Sequence, residues 1–243
     1  MNVHRTLATS ARVLRQLRHD PRTLVLLMGL PCLLLWLIAW MFNNTRVLDQ
    51  FGPLLLGVFP LIVMFLVTSV ATLRERKSGT LERLMASPLG KVDFVLGYGL
   101  AFGLVATVQA VVVTAFSVGV LGMDMPGPLW AIIMVAALVA LVGTSLGLVA
   151  SAFASTEFQA VQFMPAIIFP QLIVCGLIMP REQMPAALEA ISRVMPLTYG
   201  VQAMKDLSMG GDPGQIWSEV VVLVAFIVGA IVLGSLTLRR RTV

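Results

Sequence analysis

Six apolar runs of 19 to 28 residues, separated by short polar stretches, constrain this chain more than any other feature. They cover residues 24–42, 53–73, 94–121, 129–153, 161–179 and 216–238. A helix rises about 1.5 Å per residue and a bilayer core is about 30 Å thick, so each run is long enough to cross. With 58% hydrophobic residues, 12% charge and a mean hydropathy of +0.93, the chain has too few polar residues to cover a soluble globule. The expected fold is an all-α polytopic membrane protein with six transmembrane helices, forming one membrane domain over residues 1–243.

Residues 1–22 read as an interfacial helix. Val3, Leu7, Ala11, Leu14 and Leu17 recur on one face, while Arg5, Arg12 and Arg15 gather on another. A plain basic flank that enforces topology is the second, less favoured reading of the arginines. Asp20-Pro21 ends this segment, and with no A-x-A-like site after the first run it reads as a retained anchor. Thirteen of the seventeen Lys and Arg precede the first run, lie between the second and third, or follow the sixth. The positive-inside bias therefore places both termini and the 74–93 loop in the cytoplasm.

On the other side the turns are short, except for 180–214. There Met184, Leu188, Ile191 and Met195 recur at helical spacing, a break follows at Met195-Pro196, and Val201, Met204 and Leu207 form a second short face. The spacing predicts two short re-entrant helices resting on the bundle, or an amphipathic loop on its surface. Two G-x-x-x-G spacings, Gly99 to Gly103 and Gly143 to Gly147, predict close helix packing, within the bundle or across a dimer.

The stretch Leu73 to Leu89 is the exception to this apolar pattern. Arg74, Glu75, Arg76, Lys77, Glu82 and Arg83 crowd into it, with Lys91 just beyond. Gly79 relaxes the chain, Thr80 starts a helix, Leu81, Leu84 and Met85 share one face beside Glu82 and Arg83, and Pro88 stops it. A two-turn helix is marginal alone in water and needs a groove or a membrane to hold it.

Several functions find no residues to carry them. No ionisable residue lies centrally in any run, which weighs against an ion-driven secondary transporter, although carbonyls and hydroxyls can still bind sodium. His4 and His19, the two histidines, lack a carboxylate cluster, and no catalytic triad or H-E-x-x-H helix is present. Without a G-x-x-x-x-G-K-[ST] loop, any ATP hydrolysis belongs to a partner chain. Cys32 and Cys175 sit in apolar runs as small packing residues. The net charge of +5 reflects the basic flanks, so no nucleic acid is expected as a partner. A channel, or a membrane anchor or sensor for a soluble ATPase, stays open at this point.

The run E-R-K-S-G-T-L-E-R-L-M-A-S-P resembles the E-R-x-x-G-T-x-E-x-L-x-x-[ST]-P signature of membrane subunits of type-2 ABC exporters, matching at Glu75, Arg76, Gly79, Thr80, Glu82, Leu84, Ser87 and Pro88. The N-terminal amphipathic helix, six runs and the Met184 to Tyr199 passage are similar to the same family, especially its small drug- and antibiotic-efflux permeases of the daunorubicin-resistance type. The resemblance implies a permease of the bacterial cytoplasmic membrane, working with an ABC ATPase subunit and a second permease copy in the lipid bilayer. ATP and magnesium would sit on the ATPase and no cofactor on this chain. It implies that Glu75 to Pro88 is the coupling helix, with Leu81, Leu84 and Met85 as the face seated in the ATPase. It further implies that the second and fifth runs line the path, making Met64, Phe65, Phe163, Phe169 and Gln171 candidates for contact with a hydrophobic or amphipathic cargo; core or lipid-facing packing is the other reading of each. The large external domain of bigger relatives is missing, so cargo that needs a periplasmic receptor is not implied.

Overall fold

The computed structural model describes residues 3–42, 45–78 and 91–237. Among these the helices are α1 (Val3–Arg18), α2 (Pro21–Phe42), α3 (Thr45–Lys77), α4 (Lys91–Gly119), α5 (Leu129–Phe153), α6 (Glu157–Val174), α7 (Ala186–Val194), α8 (Pro196–Ser208) and α9 (Trp217–Thr237). Short 3-10 turns, Arg181–Gln183 and Pro213–Ile216, flank the α7 and α8 pair. Six helices are long and apolar enough to cross a membrane: α2 to α6, and the segment Pro213–Gly234 that contains most of α9. The chain is a multi-pass membrane protein.

The hub is the pair α3 and α5. In lipid, burying apolar surface supplies little drive, so helix association depends on close packing. Gly143 and Gly147 provide it: a Cβ on Gly147 would lie 2.6 Å from the Phe65 carbonyl oxygen, and one on Gly143 would collide with the carbonyl of Leu61. This G-x-x-x-G spacing therefore works within one copy of the chain. The other is looser: a Cβ at Gly99 would meet only Ile231, at 3.9 Å, and one at Gly103 would meet the end of the Leu141 side chain, at 3.1 Å. Around the hub, Leu56 and Leu61 of α3 and Val135 and Val142 of α5 join Leu197 and Met204 of α8 in one buried core.

Five prolines lie inside the described helices. Each such proline leaves the carbonyl four residues earlier without its helical donor, and another donor or a local backbone adjustment can make this good. For Pro31 that carbonyl belongs to Leu27, and the buried Gln109 of α4 donates Nε2–H to it at 2.7 Å. One amide thus fastens α2, the most exposed of the apolar helices, to the bundle.

The 180–214 segment divides at Met195, and Pro196 opens α8 at a position where its missing N–H costs nothing. Within α8, Leu197, Thr198, Val201, Met204 and Leu207 are buried between α3, α5 and α9, so this helix belongs to the core. In α7, by contrast, Leu188, Ile191 and Val194 are exposed, while Ser192 is buried. The two short helices differ: one is inserted in the bundle and one presents its apolar face outward.

Candidate functional site

The charged residues that end α3 sit where the bundle meets the 79–90 stretch. Successive helical residues point about 100° apart, so Arg74, Glu75 and Arg76 fan out to three different neighbours. Arg74 donates Nε–H and Nη2–H to Glu157 at 2.8 and 2.9 Å, tying α3 to the start of α6. Arg76 donates to the backbone carbonyl of Ser151, one of the last open carbonyls of α5, where a cation also complements the helix dipole. Glu75 turns to α1.

That third connection is more enclosed than the first. Arg12 donates Nη1–H and Nη2–H to the two Glu75 oxygens, both at 3.1 Å, and Nη2 also donates to the Tyr98 hydroxyl at 2.9 Å. The guanidinium carbon lies 5.9 Å from the Tyr98 ring centre, and Tyr98 itself is buried. The Glu75 side chain is 13% exposed and that of Arg12 28%, against 47% and 60% for Glu157 and Arg74. Exposed pairs contribute about 0–1 kcal/mol, whereas a half-buried bidentate pair that also satisfies a hydroxyl costs more to break. Glu75 with Arg12 is the stronger fastening.

The fold of α1 makes this reach possible. Its packed face consists of Thr6, Thr9, Ser10 and Val13, small enough to lie directly on α4; a Cβ on Gly97 would stand 2.7 Å from that of Thr9. Leu14 and Leu17 are partly buried against the same cluster, while Leu7 and Ala11 face outward. The apolar stripe expected from the periodicity is therefore split between the bundle and the outside. The docking face is built from small polar side chains that the hydrophobic pattern does not mark.

On the far side, Thr156 caps α6 by accepting from the Gln159 amide at 3.1 Å, and Gln159 Oε1 accepts from the Ser155 amide at 2.7 Å. This local turn holds Glu157 at the helix start, facing Arg74. Arg12, Tyr98, Ser151 and Glu157 were not marked as site residues by the sequence. The available signals were weak: Tyr98 is one of two tyrosines in the chain, inside an apolar run, and Glu157 is an acid at the edge of another.

Gly79, Thr80, Leu81, Glu82, Arg83, Leu84, Met85 and Pro88 lie outside the described residues. Of the cargo-contact candidates, Met64 and Phe65 are fully buried inside one copy, Met64 with Tyr98 and Phe102, and Phe65 in the core around α3 and α5. Phe163 is half-buried and Phe169 is 52% exposed. Gln171 is buried, donating Nε2–H to the Ile167 carbonyl at 3.0 Å, with its Oε1 unpartnered. Met64 and Phe65 thus belong to two different buried clusters. Cys32 and Cys175 are free, and the described residues hold no cluster of three His, Cys, Asp or Glu that could hold a metal ion.

Six apolar helices gathered on a small-residue hub, with a charged fastening at one end, define an α-helical multi-pass membrane domain. The ABC-2 type transporter family profile matches residues 4–207, and the chain belongs to that family. It is 27% identical over 175 residues to the probable multidrug ABC transporter permease YbhR of Escherichia coli (strain K12), covering 70% of this chain and 48% of the relative. It is 28% identical over 184 residues to the inner membrane transport permease YhhJ of the same organism, covering 75% and 49%. It is also 25% identical over 201 residues to ABC transporter G family member 20 of Dictyostelium discoideum, covering 82% and 28%. The chain thus spans about half the length of the two bacterial relatives and less of the third.

Proposed function

We propose that this chain is the membrane subunit of an ATP-driven ABC exporter that moves a hydrophobic or amphipathic molecule, such as a drug, antibiotic or lipid, out across a bacterial cytoplasmic membrane. It works with a separately encoded ATPase and a second permease copy. The observation that carries the reading is the family match over residues 4–207. The E-R-x-x-G-T-x-E motif, and the multidrug and transport permeases among the relatives, support the cargo class and the ATPase partner.

The segment from Glu75 to Pro88, whose first residues Glu75 to Lys77 are the end of α3 rather than a separate helix, acts as the coupling element, with α1 as the interfacial helix beside it; α7 and α8 form the outer re-entrant pair. Closure of the ATPase pair displaces the coupling element, and Arg74, Glu75 and Arg76 distribute that displacement to α6, α1 and α5. Phe169, exposed on α6, is the candidate best placed to meet cargo or the second copy. Met64 and Phe65 support the path from inside the bundle.

The test is reconstitution of the chain with its ATPase, followed by cargo-stimulated ATP hydrolysis and vesicle transport. Glu82→Lys and Leu84→Asp each weaken ATPase association roughly 30-fold and stop transport, as removal of a central interface anchor does. Unchanged association and unchanged transport in both variants refute the coupling assignment. Hydrolysis that never responds to cargo points instead to an anchor for the ATPase.

A further inference from the structure

A cavity of about 430 Å³ lies where α1 crosses the basal ends of α2 and α3. Its walls are apolar, from Leu26, Leu27 and Leu30 on α2 and Val63, Leu66 and Val70 on α3, with Tyr98 and Phe102 of α4 also lining it. Its polar lining is concentrated at the charged end: Gln16, Asp20, Thr23, Arg74 and Glu75. Its volume falls in the range of small-molecule sites, roughly 300–1,000 Å³. From Asp20 to Leu30 the helix climbs about 15 Å, half the thickness of a bilayer core. Leu26 is 61% exposed and Leu30 37%, so the α2 wall is open to its surroundings. A cavity with a charged mouth, a depth of one leaflet and an open side has the shape of an amphiphile.

The charges at the mouth select the head group. Arg74 is engaged by Glu157 and Glu75 by Arg12, each through two hydrogen bonds. Asp20 makes no ion pair among the described residues. It accepts from the Thr23 hydroxyl at 2.6 Å and the Thr23 amide at 3.2 Å, with a weaker backbone bond from Arg22, and feels the charge of Arg74 nearby, which leaves about one of the roughly four acceptor positions of a carboxylate open. The hydroxyl bond, then the amide bond, hold its pKa below the ordinary aspartate range, so it stays charged. Arg18 and Arg22 flank it in the chain and are exposed.

We propose that this cavity binds an amphiphile whose apolar body lies between α2 and α3 and whose protonated amine sits on the Asp20 carboxylate. An amine-headed membrane lipid and an amine-bearing amphipathic cargo share this chemistry. The mouth shares Arg74 and Glu75 with the proposed coupling end, but binding is tested without ATP or a partner chain, so its failure and that of the coupling reading are distinguishable.

The test uses the full chain in phosphatidylglycerol vesicles, irradiated with a diazirine-bearing dodecylamine or with its uncharged dodecanol counterpart, followed by peptide mapping. The amine is expected to label the segments around Leu26–Leu30 and Leu66–Val70. Asp20→Asn keeps a helix-capping side chain and lowers amine labelling about fivefold, with dodecanol labelling unchanged. Leu66→Trp fills the cavity and abolishes both. Replacing half of the lipid with phosphatidylethanolamine displaces the amine probe if the resident is a membrane lipid, and leaves it in place if the site takes a free amphiphile. Equal amine labelling in Asp20→Asn, or labels mapping away from α2 and α3, overturn the proposal. The Asp20→Asn comparison decides even if Leu66→Trp does not fold.

Discussion

Arg12 carries more of the site than its place among the N-terminal arginines suggests. One guanidinium serves Glu75 through two bonds and Tyr98 through a third, while neighbouring Arg15 and Arg18 are exposed. Removing it leaves a carboxylate that is 13% exposed without its counter-charge, so Arg12→Ala should cost about 2 kcal/mol, measured by thermal or denaturant unfolding of the purified chain. Arg74→Ala, at a pair that is largely in solvent, should cost under about 1 kcal/mol. A double-mutant cycle over Arg12 and Glu75 should give a coupling of about 1–2 kcal/mol. Arg12→Lys should recover little of it, because an ammonium cannot match the two parallel bonds. Equal losses at Arg12 and Arg74 would show that the fastening is not concentrated on α1.

Between elements, the fastening of α2 rests on a backbone defect and its repair. Pro31 leaves the Leu27 carbonyl without its helical donor, and Gln109 supplies one from α4. Gln109→Leu should therefore destabilise the bundle by about 1–3 kcal/mol, the cost of a buried acceptor left unpaired. Pro31→Ala restores the helical N–H, so in that background Gln109→Leu should cost clearly less. Melting temperatures of the four proteins check this; equal losses with and without Pro31 would mean that Gln109 acts through packing alone. The same logic separates α7 from α8. Both alternate apolar and polar residues, yet α8 is seated among α3, α5 and α9 while α7 turns Leu188, Ile191 and Val194 outward.

For the molecule as a whole, the basal end gathers Asp20, Arg74 to Lys77 and Glu157, and from the Lys and Arg bias we propose that this end faces the cytoplasm. In a background of Cys32→Ala and Cys175→Ala, Ser155→Cys should resist an impermeant maleimide added to intact cells, and Gln215→Cys should react. The opposite pattern would invert the orientation. The six crossings were legible in the sequence because continuous apolar length is a property of the chain alone, and lipid allows such runs few structures other than helices. The break at Met195-Pro196 and the stop at Asp20-Pro21 were legible for a related reason, since proline restricts its own backbone wherever it falls. Partnership was not legible. Glu75 was marked by its motif, but that its counter-charge would be Arg12, 63 residues away, depends on α1 lying across α4 on Thr6, Thr9 and Gly97. Gln109 finding Leu27, and Met64 and Phe65 turning into the bundle, are decided in the same way. Sequence by itself determined which segments must be helical and buried in lipid, because that follows from local hydropathy and backbone geometry. Only the tertiary structure decided which charges meet and where the amphiphile-shaped cavity opens, because contacts between helices depend on their rotation and depth, which no single run encodes.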